Sequence, residues 1–243
     1  MTDSDAKYVE NDRIIRVDHE RWLLAQQYEK KTWDENFQLC DDWNSWWKKR
    51  FEDYSLIEEH LRDKKNISII EVGCGPFTNV RLIESVLSYS DIKKITLSDP
   101  LLESYKKIPC HVSSLFEKNP SSYSYDFFQE QLEYLSHKDE SFDLLICINV
   151  LDHVEDVTKC ISEMKRVLKK DGLIVFGNDL TDWTKRKDPS PDGAYDQGHM
   201  MRINEEFVDE SFSSFEPLMR KIVESRNPEY HYGCVCFIGK KNN

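Results

Sequence analysis

The sequence predicts an α/β protein with a doubly wound, mostly parallel sheet behind a helical N-terminal extension. From residue 66 onward, apolar strand patterns alternate with helical patterns, which is typical of parallel strands joined by helical crossovers. Residues 1–65 instead show apolar side chains at spacings of three and four, the signature of amphipathic helices. We therefore expect a helical extension or lid over residues 1–65 and a core domain over residues 66–243.

The core domain divides into recognisable segments. Its strand patterns are "NISIIEV", "KKITLSD", "SFDLLICINV" and "LIVFGND", and its helical patterns are "NVRLIESVLSYS" and "VTKCISEMKRVLKKDG", the second ending at Gly172. A further strand near residues 125–129 fits the alternation. The runs "LMRKIVES" and "YHYGCVCFIG" predict a terminal antiparallel pair. Residues 181–200 contain prolines and glycines and predict a long loop, which in a compact domain often has a function.

Composition narrows the functional classes. The 45 acidic and 33 basic residues give a net charge of -12, which disfavours a nucleic-acid binder. The longest apolar run, residues 144–151, is too short to cross a bilayer, and the first residues lack a signal-peptide core. Seven cysteines without a C-x-x-C pair suit a reducing cytoplasm. For Cys234 and Cys236, core packing on one strand face is favoured over a metal site, and no metal is predicted.

The segment "IIEVGCGPFTNV", residues 69–80, turns from a strand into a helix through Gly73 and Gly75. A nicotinamide fingerprint would place a third glycine where Thr78 stands, and no Gly-Lys-Ser/Thr of a P-loop follows. Glu71, at the end of the buried strand, needs a partner, either a cationic ligand or the dipole of the adjacent turn. This acid favours a cofactor that carries an ammonium and a sulfonium, although an ordinary tight turn stays open.

Two further strand ends carry polar residues. Asp99 ends the second strand, where its carboxylate can accept both hydroxyls of a ribose; as Pro100 follows, a turn acid is the alternative. The strand "SFDLLICINV" ends at Asn149 and leads to Asp152 and His153. Because the carboxyl ends of parallel strands meet at one edge of the sheet, we expect these residues to converge on a crevice.

With these motifs in order, residues 66–180 resemble the class I S-adenosylmethionine-dependent methyltransferases. The resemblance rests on "EVGCG", "LSDP", "ESFDLLICINVLDHVEDV" and "VLKKDGLIVFG". It implies a Rossmann-like, seven-stranded sheet in the order 3-2-1-4-5-7-6, with strand 7 antiparallel, and S-adenosylmethionine as the cofactor. It departs from the family at Phe77, where a third glycine is usual.

The same resemblance implies a set of cofactor contacts. Glu71, Gly73 and Gly75 would hold the methionine moiety, and Asp99 the ribose. The adenine segment falls near Gln131 and Leu132, where glutamine replaces the more common acid. The predicted cofactor-binding set is Glu71, Gly73, Cys74, Gly75, Asp99, Pro100, Gln131, Leu132, Asn149 and Val150.

On the acceptor side, His153 is the leading candidate for a base, because a hydroxyl nucleophile must lose its proton. Its alternative is a pocket-lining role. Asp152 would orient it, bind substrate or stand at a helix start. His199 is a second catalytic candidate, and Arg202 would hold an acidic group of the substrate or form a surface ion pair. The predicted substrate-binding set is Asp152, Asn178, Trp183, Tyr195 and Arg202.

The leading hypothesis is a cytoplasmic methyltransferase acting on a hydroxyl of a small molecule, such as a sugar or a biosynthetic metabolite. Its alternatives are an amine- or protein-directed methyltransferase and an inactive, partner-binding relative. The N-terminal tryptophans would either pack against the domain or line the site, with Trp22 and Trp33 as the candidates for the second role.

Overall fold

A computed structural model of the protein describes residues 9–10, 13–36, 42–51, 54–87, 91–108, 123–181 and 197–242. The strands in these ranges are β1 (Val9–Glu10), β2 (Arg13–Ile14), β3 (Ile67–Val72), β4 (Ile92–Ser98), β5 (Ser124–Phe128), β6 (Phe142–Ile148), β7 (Leu168–Leu180), β8 (Phe215–Val223) and β9 (Gly233–Lys241). The helices are α1 (His19–Asn36), α2 (Asp42–Phe51), α3 (Ser55–Leu61), α4 (Val80–Leu87), α5 (Leu102–Tyr105), α6 (Val157–Val167) and α7 (Glu205–Ser211).

The main sheet of the described residues has seven strands in the order β5-β4-β3-β6-β7-β9-β8. Numbered 1 to 7 along the chain, these strands follow the order 3-2-1-4-5-7-6. The pairs from β5 to β7 are parallel, and β9 runs antiparallel to both β7 and β8. The predicted fold class, the strand near residues 125–129 and the terminal antiparallel pair are confirmed.

Alternate residues of the central strands enter two hydrophobic cores, one on each face of the sheet. Ile70 and Val72 of β3 join the core that contains α6, whereas Ile67 and Ile69 join the core that contains α4. On β9, Cys234 and Cys236 share the second core, as predicted. This two-sided burial explains why these strands read as continuous apolar runs in the sequence.

The prediction that the second long helix continues to Gly172 is wrong. Helix α6 ends at Val167, and Leu168 already pairs with Phe142 as the first residue of β7. Leu168 is fully buried in the core. Lysines at 169 and 170 fit a helix as well as a strand, so the pairing with β6 decides the local structure.

The N-terminal extension is only partly helical. β1 and β2 form a small antiparallel pair, which the prediction of helices over residues 1–65 missed. The helices that follow lie on both faces of the sheet: Trp22 and Ala25 of α1 belong to one core, and Phe51 of α2 belongs to the other. None of the described helices is long and apolar enough to cross a membrane.

We expect Phe51→Ala to lower the free energy of unfolding by about 3–5 kcal/mol, because a large buried ring would leave a cavity. Phe51 is fully buried, its ring lies 5.6 Å from that of Tyr54, and a Cβ at Gly177 of β7 would lie 3.3 Å from it. Urea unfolding measures the change. The control Leu24→Ala, at a side chain 60% exposed, should change stability by less than about 0.5 kcal/mol. Equal effects would show that α2 is not part of the cooperative core.

Candidate functional site

The turn between β3 and α4 is organised by the carboxylate of Glu71. Its Oε1 accepts the backbone N–H of Asn79 at 2.7 Å and the side-chain amide of Asn79 at 3.0 Å. Its Oε2 accepts the N–H of Val80 at 3.0 Å and the hydroxyl of Thr78. Burial raises the pKa of Glu71, and these donors oppose that shift. The sequence left two possible partners for Glu71, a cationic ligand or the adjacent turn. In the structure, the adjacent turn is the partner.

Glu71 does not line the cavity that the neighbouring residues form. The prediction that it contacts the cofactor directly is therefore not favoured by the geometry. Two of its four contacts satisfy the backbone N–H groups of Asn79 and Val80 at the start of α4, which have no partner within the helix. Glu71 shapes the loop that faces the cavity.

Gly73 and Gly75 both have the left-handed backbone conformation, with φ of 62° and 57°. A Cβ at Gly73 would lie 2.5 Å from Cγ2 of Val150, so this glycine allows β3 and β6 to end side by side. A Cβ at Gly75 would meet nothing within 4 Å. The first glycine therefore serves packing, and the second keeps the cavity open to a ligand.

Asp99 joins the glycine loop to the end of β4. Its Oδ2 accepts the N–H of Gly75 at 3.0 Å, and its Oδ1 accepts the N–H of Leu101 at 2.8 Å. Burial raises the pKa of Asp99 to about 6, opposed by these two backbone donors. Each carboxylate oxygen can accept two hydrogen bonds, so one further bond can form at each.

A cavity of about 1000 Å³, counting its open mouth, lies at the carboxyl edge of the parallel strands. The predicted cofactor residues that line it are Gly73, Cys74, Gly75, Asp99, Pro100, Gln131, Leu132, Asn149 and Val150. Asn149 adopts a left-handed conformation with φ of 59°, and its N–H donates to the carbonyl of Gly177 at 2.8 Å. The structure thus brings together the whole predicted set except Glu71.

Aromatic side chains form one wall of the cavity. Phe77 lies edge-on to Trp33, with ring centroids 5.6 Å apart, and Trp33 is also edge-on to Tyr105 at 6.4 Å. Phe77 is buried and lines the cavity, so the residue that replaces the third glycine forms part of the cavity wall. Trp22 and Trp47 also line it.

Sequence reasoning missed the contribution of Gln26 and Glu29. The side-chain amide of Gln26 donates to the carbonyl of His153 at 3.1 Å, and Oε2 of Glu29 lies 3.8 Å from Nδ1 of His153. Both line the cavity together with Trp22 and Trp33. Successive spacings of four, three and four residues place these side chains on one face of α1. This spacing is the sequence pattern from which Gln26 and Glu29 could have been predicted to line the cavity.

Three titratable side chains meet behind the cavity. Nε2 of His153 lies 3.7 Å from Oδ2 of Asp152, and Nε2 of His199 lies 3.8 Å from the same oxygen. The two imidazole rings are 4.4 Å apart. The backbone N–H of Met200 donates to the carbonyl of Asp152 at 2.9 Å, which brings His199 to this position. Of the three, His153 lines the cavity.

The carboxylate and one imidazole of this group have shifted pKa values. Burial works against ionisation of both Asp152 and His153. The histidines nevertheless hold the pKa of Asp152 below its usual value, and Asp152 and Glu29 raise the pKa of His153. Opposite charges therefore stabilise each other here.

Asn178 and Arg202, predicted to bind substrate, do not line the cavity. Oδ1 of Asn178 accepts the N–H of Leu151 at 3.2 Å, so this buried amide supports the turn after β6. The buried guanidinium of Arg202 donates to the carbonyls of His199 and Met201. The geometry favours structural roles for both. Trp183 and Tyr195 lie outside the described residues.

The two glycines give a matched test. We expect Gly73→Ala to lower stability by more than 2 kcal/mol, because the clash with Val150 adds to the left-handed backbone cost of about 1–2 kcal/mol. Gly75→Ala should show the backbone cost alone but weaken ligand binding, because its methyl group enters the cavity. Thermal unfolding and titration with S-adenosylhomocysteine separate the effects. Similar stability losses for both variants would contradict the assignment.

Comparison with known proteins agrees with this architecture. Residues 70–176 match the family model of the methyltransferase domain. The 1,6-didemethyltoxoflavin-N1-methyltransferase of Burkholderia thailandensis, solved with 1,6-didemethyltoxoflavin and S-adenosylhomocysteine, superposes with a TM-score of 0.59. The match covers 97% of this chain and 98% of that one at 15% identity, which supports the fold alone.

Curated relatives match about half of the chain. An uncharacterised protein of Methanocaldococcus jannaschii is 31% identical over 51% of this chain and 46% of its own length. The thiol S-methyltransferase TMT1B of Mus musculus is 28% identical, covering 53% and 49%. The ubiquinone biosynthesis O-methyltransferase of Rickettsia typhi is 27% identical, covering 49% and 44%. The chain thus spans about half the length of the curated relatives it matches. Residues 70–176 thus match the methyltransferase domain, and the strand order of the sheet is the one that the resemblance to the class I S-adenosylmethionine-dependent methyltransferases implied.

Proposed function

We propose that this protein transfers the methyl group of S-adenosylmethionine to a hydroxyl of a small-molecule acceptor. The observation that carries the cofactor half is the position of Asp99. Its carboxylate is held by the N–H groups of Gly75 and Leu101 and faces the cavity with room for one more hydrogen bond at each oxygen. That arrangement suits the two hydroxyls of a ribose.

The remaining cofactor contacts follow from the lining of the cavity. Gly75 leaves space for the methionine moiety next to the loop, and Gln131 and Leu132 stand where the adenine is expected. Oδ1 of Asn149 is buried without a hydrogen-bond partner in the described part of the chain. It is therefore a suitable acceptor for the ammonium group of the cofactor.

The acceptor half of the proposal rests on His153 and the side chains behind it. Transfer forms an O–C bond while the S–C bond breaks, and its electron pair stays on sulfur. The leaving group needs no acid, but the hydroxyl must release its proton, which passes to solvent. A thiol ionises more readily and an amine carries its own lone pair. Of these three acceptors, a hydroxyl therefore gains most from polar side chains such as His153 at the cavity wall, because it must lose a proton.

The lid role of α1 is part of this proposal. Trp22, Gln26, Glu29 and Trp33 cover the cavity from one helix. Their aromatic faces suit a ring-shaped acceptor such as a sugar or an aromatic metabolite. The five described cysteines are all buried and form no disulfide with one another, which agrees with the predicted cytoplasmic location; that location stays a prediction.

The acceptor class is tested by incubating the protein with methyl-labelled S-adenosylmethionine and matched phenol, sugar, thiol and amine compounds. We expect label in the hydroxyl compounds. Label only in thiols or amines would overturn the hydroxyl assignment, and protein self-labelling would favour a protein-directed enzyme. Failure to bind S-adenosylhomocysteine would overturn the whole proposal.

We expect His153→Ala to lower kcat by about 100-fold, because proton removal contributes at least that factor when the nucleophile is a hydroxyl. The dissociation constant of S-adenosylhomocysteine should change less than about threefold, since Asp99 and the glycine loop remain. His60→Ala, on α3 and hydrogen-bonded to the carbonyl of Asp171, is the control and should retain activity. Unchanged kcat in the His153 variant would exclude a catalytic role.

Asp99 predicts a pH dependence of cofactor binding. Its pKa of about 6 means that the carboxylate is largely protonated at pH 5 and ionised at pH 7. Ribose hydroxyls donate to the ionised form, so affinity for S-adenosylhomocysteine should rise about tenfold from pH 5 to pH 7 and then level off. Calorimetric titration measures this.

The charges of Glu29 and His153 also shift the pKa of Asp99. The variant Asp99→Asn is therefore the control, because any pH dependence that remains in it comes from other groups. It should bind more weakly at pH 7 and show a smaller rise between pH 5 and pH 7. The same pH dependence in both proteins would refute the ribose assignment.

A further inference from the structure

Asp152 is an unusual buried carboxylate. Its side chain is 4% exposed, and neither carboxylate oxygen has a hydrogen-bond partner among the described residues. A buried ionised group of this kind is costly unless positive charge compensates it. The nearest nitrogens, on His153 and His199, are 3.7 and 3.8 Å from Oδ2. These distances are too long for hydrogen bonds.

The same distances suit three ligands of one metal ion. Two ligand atoms bound at about 2.1 Å to a tetrahedral ion lie about 3.4 Å apart. One ligand atom from each of Asp152, His153 and His199 can be chosen so that the three atoms lie within 4.8 Å of one another. Small side-chain rotations would bring them onto a common cation.

The tautomer of His153 is set for such a role. Its Nδ1 lies 3.1 Å from the carbonyl oxygen of Gly198, which can only accept a hydrogen bond. The proton of the neutral ring is therefore on Nδ1, and Nε2, the atom nearer to Asp152, carries a lone pair. Metal-binding histidines commonly donate their second ring nitrogen to a backbone carbonyl in this way.

The surrounding charge also favours a cation. The carboxylates of Glu29 and Asp99 act on His153 in addition to Asp152. Glu29 is 3.8 Å from Nδ1 of the ring. Negative charge thus approaches the group from α1, from the end of β4 and from the turn after β6, which raises the local concentration of cations.

We propose that Asp152, His153 and His199 bind a divalent transition-metal cation of the zinc class at the edge of the cavity. Two imidazole nitrogens and one carboxylate oxygen form a set typical of catalytic zinc, which keeps a further position for water or substrate. Because His153 lines the cavity, that position adjoins the acceptor side.

The metal site gives the acceptor centre a specific chemistry, and this part rests on the proposed function. A hydroxyl bound to the cation loses its proton to water at a lower pH, because the metal stabilises the oxygen anion. The anion then attacks the methyl carbon. In this arrangement His153 assists the loss of the hydroxyl proton as a metal ligand and not as the base, because Nε2 is occupied by the cation and Nδ1 carries its proton.

The test uses the whole chain of residues 1–243, stripped of metal with a chelator and titrated with Zn²⁺ by calorimetry. We expect one equivalent to bind, and Asp152→Asn and His199→Ala to weaken binding by about 100-fold or more. Co²⁺ provides a second readout, because bound Co²⁺ has a visible absorption band that these variants should lose. Thermal unfolding of each variant shows whether it is folded.

His19 provides the matched control, because its Nδ1 lies 2.9 Å from Oε2 of Glu155 in a histidine–carboxylate pair away from the cluster. His19→Ala should bind Zn²⁺ as the unaltered protein does. Absence of Zn²⁺ binding, or equal binding by the Asp152 and His199 variants, would overturn the metal site. Asp152, His153 and His199 would then be an ion-paired cluster without a metal.

Parallel titrations with S-adenosylhomocysteine separate the two proposals. Metal-free protein should bind it, because Asp99 and the glycine loop are independent of the cluster. Zn²⁺ binding without S-adenosylhomocysteine binding would reject the proposed function and keep the metal site. Methyl transfer that is unchanged after chelation and in Asp152→Asn would reject the metal site and keep the proposed function.

Discussion

The hydrogen bonds of the buried Glu71 carboxylate are the constraint on which the site depends. A carboxylate without exposed surface is tolerated at the end of β3 because Thr78, Asn79 and Val80 direct four donor groups at it. These contacts start α4 directly after the glycine loop. The loop is then held where the N–H of Gly75 reaches Asp99 on the neighbouring strand. A buried acid thus holds the loop whose N–H contacts a second acid, Asp99, at the wall of the cavity.

The sheet order was predicted from the family resemblance, whereas the meeting of the strand-end residues at one cavity could be predicted from local determinants. Strand ends in a parallel sheet meet at one edge whatever the side chains do, so Gly75, Asp99 and Asn149 had to converge. The geometry does not favour the predictions that depend on the orientation of single side chains. Glu71 and Arg202 belong to the expected segments, yet each satisfies nearby backbone groups and is turned away from the cavity.

The contribution of the N-terminal extension could not be derived in the same way. Whether an aromatic stripe packs inward or lines a site depends on which part of the domain it meets, and nothing local specifies that. Phe51 is enclosed against β7, whereas Trp22 and Trp33 line the cavity. The cluster of Asp152, His153 and His199 could not be predicted from sequence for a related reason. Asp152 and His199 are 47 positions apart, and only tertiary contacts bring them together.

Those contacts tie the acceptor side to the extension. Ile14 exchanges backbone hydrogen bonds of 3.1 and 2.8 Å with Arg202, and the N–H of Val17 donates to the carbonyl of Glu155 at 3.0 Å. The segment that carries His199 is therefore fixed between β2 and the turn that carries Asp152. Because α1 follows β2 closely in the chain, the helix that lines one side of the cavity and the cluster of Asp152, His153 and His199 are held by the same contacts. A shift of the N-terminal strand would move Trp22 and Trp33 of α1 together with the Asp152–His199 cluster, while the glycine loop, held by Glu71, would stay in place.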